Sequence, residues 1–419
     1  MSKRTNKIGT LFVMTTMLAG LTACSPEAKY EKQLELGTES LHAGDYETAI
    51  TAFETAITLN NSSLEGYAGL VAAMNLQDTD PEEMKELVKD VNDVIRKMHD
   101  SESGMTEEEV SLAEEIYLEA ANAVNTNPES ELEILENGIT ALGEESEIAQ
   151  VYIQKAENLI EQYLAEQKLE EAAIQAEKLA ETLPSDTETL EYTSAVAEEV
   201  SAQQELVGLL MKAVDLIEEN DWQALADYTE SDELTVLKEK IGDAGGYTYV
   251  IGGGDTGTGI GYYSFEGCEC DQWYYGEYVD GLRSGEGGWY WTANYSRGLY
   301  IETYEGEWSN DAPNGSGYKY YEYGDYVEES EITVSDGLTT GTYTHEFTDS
   351  KTGETYVATY EAVEGQYVEV EVEDWVSDDI PEDMYCYCIV YIDRPDGSQT
   401  AMWLHTYYDS KYGISHFRE

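Results

Sequence analysis

The chain has 419 residues, 41% of them apolar, which suits two or three packed domains rather than a tail attached to a small fold. Its formal charge of -65 excludes a nucleic-acid binder, which needs cations to replace the counterions on phosphates, and disfavours contact of the folded part with anionic lipid. Such a surface either attracts cationic partners or divalent ions, or acts as a solvated shell that keeps the protein soluble and spaced; no Asp/Glu run has calcium-loop spacing.

The first element reads as an export signal. "MSKRTNK" supplies Lys3, Arg4 and Lys7, and an apolar stretch from Ile8 to Leu21 follows, too short to span a bilayer comfortably as a permanent helix. It ends in Leu21, Thr22, Ala23 and Cys24, which resemble the lipobox of bacterial lipoproteins. The resemblance implies residues 1–23 as a signal peptide, cleavage between Ala23 and Cys24, and diacylglycerol on the Cys24 sulfur. The mature chain would then sit on the outer face of the cytoplasmic membrane, in the cell envelope. The alternative is an ordinary secretory signal with an incidental cysteine. Residues 1–23 carry three cations and no acid, so their removal takes the charge to -68 and leaves the lipid as the expected membrane contact.

Residues 24–241 are rich in Ala, Leu and Glu and read as helices. "DTDPEE" places Asp80 as a cap before Pro81, and "NTNPES" repeats the device with Asn127 and Pro128, each followed by acids that suit the helix dipole. Ile148, Tyr152, Ala156, Leu159, Ile160 and Tyr163 recur at helical spacing. From Tyr30, the residues Leu36, Gly37, Gly44, Tyr46, Ala49, Phe53 and Ala56 resemble the tetratricopeptide (TPR) repeat, a two-helix unit of about 34 residues. A weaker match runs from Ile153 to Pro184 and keeps Ala172 and Ala176, while "LEGYAGLVAAMNLQ" between them loses most of the signature. The family implies a helical solenoid with a peptide- or protein-binding groove; helices that only space the chain from the membrane are the alternative.

The composition changes between Gly242 and Gly246: eight of the 34 tyrosines and one of the seven tryptophans precede it. Beyond it, residues 246–345 are predicted as hairpins. "YYGEYVDGLRSGEG" from Tyr274 is matched thirty residues later by "YEGEWSNDAPNGSG" from Tyr304. Tyr274, Gly276, Tyr278, Gly285 and Gly287 align with Tyr304, Gly306, Trp308, Gly315 and Gly317. Weaker copies place Asp255, Gly259 and Gly261 upstream and Gly337 and Gly341 downstream. Period two puts rings and glycines on one face, so that aromatic side chains lie across the glycines of a paired strand. The pattern resembles the MORN repeat, which implies an elongated sheet used for protein contact or assembly; the longer spacing here predicts extended loops such as "TANYSRGLYIE". Residues 346–419 are predicted to cap or extend that sheet, with a hairpin turning at Asp396 and Gly397.

The fold class expected is therefore α+β with the two kinds of structure segregated, a TPR-like solenoid followed by an all-β stacked-hairpin region. Chemistry is sparse. Cys268 and Cys270, and Cys386 and Cys388, have one-residue spacing that suits disulfides across facing strands or buried thiols better than zinc. "GGGDTGTGIG" lacks the Lys-Ser/Thr of a phosphate loop, and His42, His99, His345, His405 and His416 are scattered. No enzyme, no cofactor and no metal is expected. The leading function is a membrane-anchored scaffold that binds a protein through its repeats. The alternatives are a cell-wall or glycan binder using exposed rings such as Trp289 and Trp291, or an accessory part of an export or transport system.

Overall fold

The structure, a computed structural model, describes residues 25–419 except 78–79, 102, 243–244, 265–270, 297, 324–325, 336–337, 349–354, 364–365, 368–384, 394–398, 410–413 and 419. The expected signal of residues 1–23, with Ala23, and Cys24, Cys268, Cys270, Gly337, Asp396 and Gly397 lie outside these residues. The order is helices and then strands, as the composition change predicts. The helices are α1 (Pro26–Ala43), α2 (Tyr46–Leu59), α3 (Leu64–Asn75), α4 (Pro81–His99), α5 (Glu107–Ala123), α6 (Pro128–Leu142), α7 (Glu147–Ala165), α8 (Leu169–Thr182), α9 (Thr187–Glu218), α10 (Trp222–Thr229) and α11 (Thr235–Ile241). The strands are β1 (Gly246–Val250), β2 (Gly257–Ser264), β3 (Asp271–Val279), β4 (Leu282–Tyr295), β5 (Gly298–Ser309), β6 (Ala312–Tyr323), β7 (Tyr326–Ser335), β8 (Leu338–Thr348), β9 (Thr355–Val363), β10 (Gln366–Tyr367), β11 (Tyr385–Asp393), β12 (Gln399–Asp409) and β13 (Ile414–Arg418).

The described residues form two compact units, one within residues 1–159 and 176–193 and the other within residues 160–175 and 194–419. In the first, helix ends follow local chemistry. The Asp80 and Asn127 side chains accept from the backbone N–H groups of Glu82 and Ser130, with Pro81 and Pro128 where the lost donor costs nothing. Thr106 and Glu109 form a reciprocal capping box on α5. Gly44 closes α1 in the left-handed region, at φ 76°. The helices pack α1 on α2, α2 on α3, α3 on α5 and α5 on α6. Phe53 is the pivot of the first of these contacts. Its ring lies so close to Gly37 of α1 and Gly69 of α3 that a Cβ at either would fall 2.7 or 2.5 Å from ring carbons. Ala49 and Ala56 are fully buried beside it, whereas Leu36 is 41% exposed and takes no part.

The second unit is built on one antiparallel sheet in the order β1 to β9, then β11, β12 and β13, with β10 paired to β9. Consecutive strands pair as hairpins. The central turns are tight: Asp280 and Gly281 have φ 51° and 75°, and Asn310 and Asp311 have φ 50° and 67°, the positive pair that a two-residue turn matching the strand twist requires. "TANYSRGLYIE" is not an extended loop. β4 and β5 stay paired out to Tyr295↔Gly298, so the additional length lengthens the ladder. β11 and β12 pair from Tyr385↔Tyr407 to Asp393↔Gln399, as the predicted hairpin requires.

One face of β1–β5 is covered by the end of α9, by α10 and by α11. Leu210, Val214, Ile217, Leu225, Tyr228 and Ile241 bury Ile260, Tyr262, Trp273 and Tyr290. Trp222 stacks on Tyr290 with centroids 5.6 Å apart, and Trp273 Nε1 donates to Thr229 Oγ1 over 2.9 Å. The last helices therefore belong to the sheet's core, although their composition is that of the helical half. Each sheet row on this face alternates with a row on the other, because successive side chains point to opposite sides.

Two measurements test these packing claims. Gly276→Ala would place its Cβ 2.7 Å from the Glu286 carbonyl oxygen and against the Gly287 backbone, so it should lower stability by about 1–3 kcal/mol in urea unfolding. Gly208→Ala, in α9 with open space around it, should raise stability by about 0.5–1 kcal/mol. The second test concerns pH. Burial, and then Glu115, raise the Glu119 carboxyl above its ordinary range; burial, with Glu133 and Glu181 and against Lys178, raises Glu136. A pKa raised on folding gives stability that is fully present below the ordinary carboxylate range and is lost as pH rises through the raised value. Helical signal in urea should therefore persist to higher denaturant at mildly acidic pH than at neutral pH, and Glu119→Gln should flatten that dependence.

Candidate functional site

The open face of the sheet carries the repeat residues. Its central row is glycine on five successive strands, Gly259↔Gly276↔Gly287↔Gly306↔Gly317, and continues as Ile332↔Gly341. The row beside it is Gly261↔Tyr274↔Trp289↔Tyr304↔Lys319↔Ser330. Rings from this second row fold down onto the glycines. A Cβ on Gly287 would meet Tyr274 Cζ at 2.6 Å, and one on Gly317 would meet Tyr304 Cζ at 2.6 Å. Glycine is required there because the space it leaves is filled by a neighbour's ring, which restores the packing a bare strand lacks.

The two copies repeat each other's bonds. Tyr274 Oη donates to the Glu277 carbonyl oxygen at 3.0 Å, and Tyr304 Oη donates to that of Glu307 at 3.1 Å. The register shifts by a bulge after Gly276 in one copy and after Gly306 in the other. Gly285 and Gly315 follow in the left-handed range, at φ 64° and 116°, with the Glu277 and Glu307 carboxylates where a side chain would stand. The repeated acid is thus part of the bulge, and Glu307 Oε1 also accepts from the Ser316 N–H. Tyr278, Tyr274, Trp308 and Tyr304 form an edge-to-face series with centroid distances of 5.2, 5.0 and 5.5 Å, and all four are buried. They are packing material.

Arg283 organises the turn edge. Its guanidinium lies 5.0, 5.6 and 4.9 Å from the rings of Tyr263, Tyr274 and Trp308, while Nε pairs with Asp311 Oδ1 at 3.2 Å and an Nη donates to the Asp311 carbonyl oxygen. Asp311 also accepts from the Arg283 N–H, and the Asp311 N–H donates back to the Arg283 carbonyl oxygen. On the other side, the Gly281 N–H donates to the Asp255 carbonyl oxygen and the Asp280 N–H to Thr256 Oγ1. Each turn is tied to the one before it. Burial raises the Tyr274 phenol and Arg283 opposes that rise, so Tyr274 remains a hydroxyl donor at neutral pH.

The far end of the same face carries a second, more accessible aromatic group. Trp291 and Tyr300 approach to 4.6 Å, Tyr300 meets Tyr321 and Tyr323 at 5.4 and 5.9 Å, and Tyr295 packs edge-on to Tyr300 and Tyr323. Tyr295 is 44% exposed and the others are half-buried. Polar groups lie among the rings. Tyr300 Oη donates to Glu302 Oε2 at 2.6 Å, Lys319 Nζ pairs with Glu302 Oε1 at 2.8 Å, and Trp289 Nε1 donates to Gln272 Oε1 at 2.8 Å. The core formed with α9, α10 and α11 lies on the opposite face, with Ile260, Tyr262, Trp273 and Tyr290.

Other candidates are placed more plainly. The glycine loop Gly252–Gly254 has three positive φ values and leads into β2 rather than a helix; the N–H of Gly253 is used on Val250 and that of Gly254 on Glu166, so neither is turned toward a ligand. His42 ends α1, and a ring nitrogen of His99 lies 3.2 Å from the Ala141 carbonyl oxygen. Among the described residues no group of His, Cys, Asp and Glu could hold a metal ion, and no helix is long and apolar enough to cross a membrane. Cys386 and Cys388 lie on β11, opposite Thr406 and Leu404 of β12.

No protein-family model and no curated protein matches the chain. Among solved structures, a thermophilic TPR protein of Thermus thermophilus matches at 18% identity over 41% of this chain and 81% of that one, with a TM-score of 0.19. A superposition that loose leaves the helical pairing to be judged from its own packing around Phe53.

Arg283→Lys tests the turn ladder. The ammonium can keep one contact to Asp311 but not the flat fork stacked between rings, so the urea midpoint should fall and the tryptophan fluorescence change. A stability equal to that of the unchanged chain would remove the role assigned to Arg283.

Proposed function

We propose that the protein is an envelope scaffold, held at the outer face of a bacterial cytoplasmic membrane by lipid on Cys24, which docks a protein partner on the open aromatic face of its sheet. The observation that carries the docking claim is the half-exposed cluster of Trp291, Tyr295, Tyr300, Tyr321 and Tyr323 with Glu302 and Lys319 among the rings. Rings with polar handles on a face without a helix are the composition of an interaction surface. The paired copies of bond, bulge and turn around Tyr274 and Tyr304 support reading the hairpins as MORN-like units. The pairing of Gly37, Phe53 and Gly69 supports TPR-like close approach in the helical unit. The anchor rests on the lipobox-like sequence alone.

Glycan binding is less favoured, because Trp289, one of the two rings named for it, is already held by its bond to Gln272. Both readings are separable with Trp291→Ala combined with Tyr300→Ala. Photo-crosslinking from position 295 in intact cells should give a discrete adduct that the double variant abolishes, while binding to purified wall should be absent with or without the substitutions. Wall binding that the double variant loses would favour the glycan reading instead. Cys24→Ser should release the protein from membranes or leave an uncleaved precursor; unchanged processing and retention would sink the anchor.

A further inference from the structure

The sequence contains two Asn-Gly pairs, Asn137–Gly138 in α6 and Asn314–Gly315 in β6. Glycine after asparagine leaves the next backbone nitrogen unshielded by any Cβ, so that nitrogen can reach the asparagine side-chain carbonyl wherever the chain is free to turn. The fold treats the two pairs differently. Asn137 is fixed at both ends of its amide: Nδ2 donates to the Glu133 carbonyl oxygen at 2.7 Å, and Oδ1 accepts from Asn92 Nδ2 at 3.0 Å. Gly138 is buried in mid-helix, with Ile148 and Tyr117 where a side chain would stand, and its N–H is committed to the helical ladder.

Asn314 has neither restraint. Its side chain is exposed and makes no hydrogen bond among the described residues. The β5–β6 ladder passes from Trp308↔Pro313 to Gly306↔Gly317, so residues 314–316 lie opposite the bulge without a ladder partner on β5. On the other side, Gly315↔Val334 is the terminal pair of the β6–β7 ladder, where fraying begins. The bulge itself imposes glycine at 315, through φ 116° and a Glu307 carboxylate oxygen 2.5 Å from where a Cβ would stand. The aligned positions of the preceding copy are Ser284 and Gly285, so the second of the two copies carries the labile pair and the first does not.

We propose that Asn314 is a site of spontaneous covalent modification, converted through Gly315 to aspartyl and isoaspartyl forms in the folded protein. The Gly315 nitrogen gives up its proton and attacks Asn314 Cγ; the Cγ–Nδ2 bond breaks and ammonia leaves with that proton, closing a succinimide ring. Water then opens the ring. Cleavage at Cγ gives aspartate, and cleavage at the main-chain carbonyl gives isoaspartate, with the backbone now running through Cβ and Cγ. Either product adds a negative charge. Isoaspartate also adds a carbon to the backbone between the Trp308↔Pro313 and Gly306↔Gly317 pairs, whose spacing the bulge fixes. The reaction consumes water and needs no enzyme, and it is independent of both the lipid anchor and the docking face.

The full mature chain carrying Cys24→Ser is held at mildly alkaline pH and physiological temperature beside a free peptide of residues 309–320. Both are digested and sequenced by electron-transfer mass spectrometry, which separates isoaspartate from aspartate, with unaged chain digested alongside. Asn314 should convert more slowly than in the peptide but at least about tenfold faster than Asn137, the scale of about 1.4 kcal/mol in the cost of freeing the reacting backbone. Asn314→Gln, whose longer side chain closes the ring poorly, should stay unconverted. Ageing should lower the urea midpoint of the chain that keeps Asn314 and leave that of Asn314→Gln where it was. Asn314 intact long after the peptide has been fully converted would overturn the proposal, and so would Asn137 converting as fast as Asn314. Equal falls of the midpoint in both chains would place the damage elsewhere and overturn it as well.

Discussion

The sheet depends on a single constraint: a tyrosine ring occupies the volume that a neighbouring strand would need for its own side chain. Tyr274 over Gly287 and Tyr304 over Gly317 fix this arrangement, and almost everything else on the open face follows from it. A ring folded flat along the sheet is buried by the next ring rather than by a second layer, so the rings form a series instead of a two-layer sandwich core. The phenol that reaches past the glycine finds the carbonyl oxygen of Glu277 or Glu307, and that bond is what allows the ring to be buried without an orphaned hydroxyl. A sheet packed in this way can leave one face without helix and still keep its central rings dry.

Charge is distributed by the same logic. With so few cations in the chain, each one on β2–β7 has a fixed structural post: Arg283 between rings and beside Asp311, Lys319 beside Glu302. Those posts are on the open face. On the helix-covered face Asp271 pairs with Lys238 at 2.9 Å, while Glu286 and Glu305 form no ion pair among the described residues. The cations of these strands are therefore each spent on one acid and its neighbouring contacts, and the surplus of acids is left to solvent.

Much of this was legible in the residues, and the illegible part has identifiable causes. Gly37 and Phe53, and the aligned Tyr and Gly of the hairpins, declare themselves because close approach permits so few residue types. Gly69 also contacts Phe53 but sits in a helix that has lost the rest of the signature, so nothing in its neighbourhood points to it. The bulges after Gly276 and Gly306 escape a period-two reading, which cannot count a residue that faces nothing, and with them went the role of Glu277 and Glu307. Arg283 has no counterpart thirty residues on, where Pro313 stands, so a repeat comparison passes over it. α10 and α11 read as helix from composition, and no local pattern states that their apolar side is shaped for Trp273 and Tyr290.

The tie between successive turns has a consequence for how such a chain can change. Because Asp311 closes on Arg283 and Gly281 closes on Asp255, each turn takes its position from the one already laid down. Growth by copying a whole thirty-residue unit preserves every one of these closures, while a gain or loss of one residue within a strand moves the ring row to the wrong side and misplaces every later turn. The sheet is thus a ruler that lengthens by whole divisions, and its reach can be adjusted without redesigning any single contact.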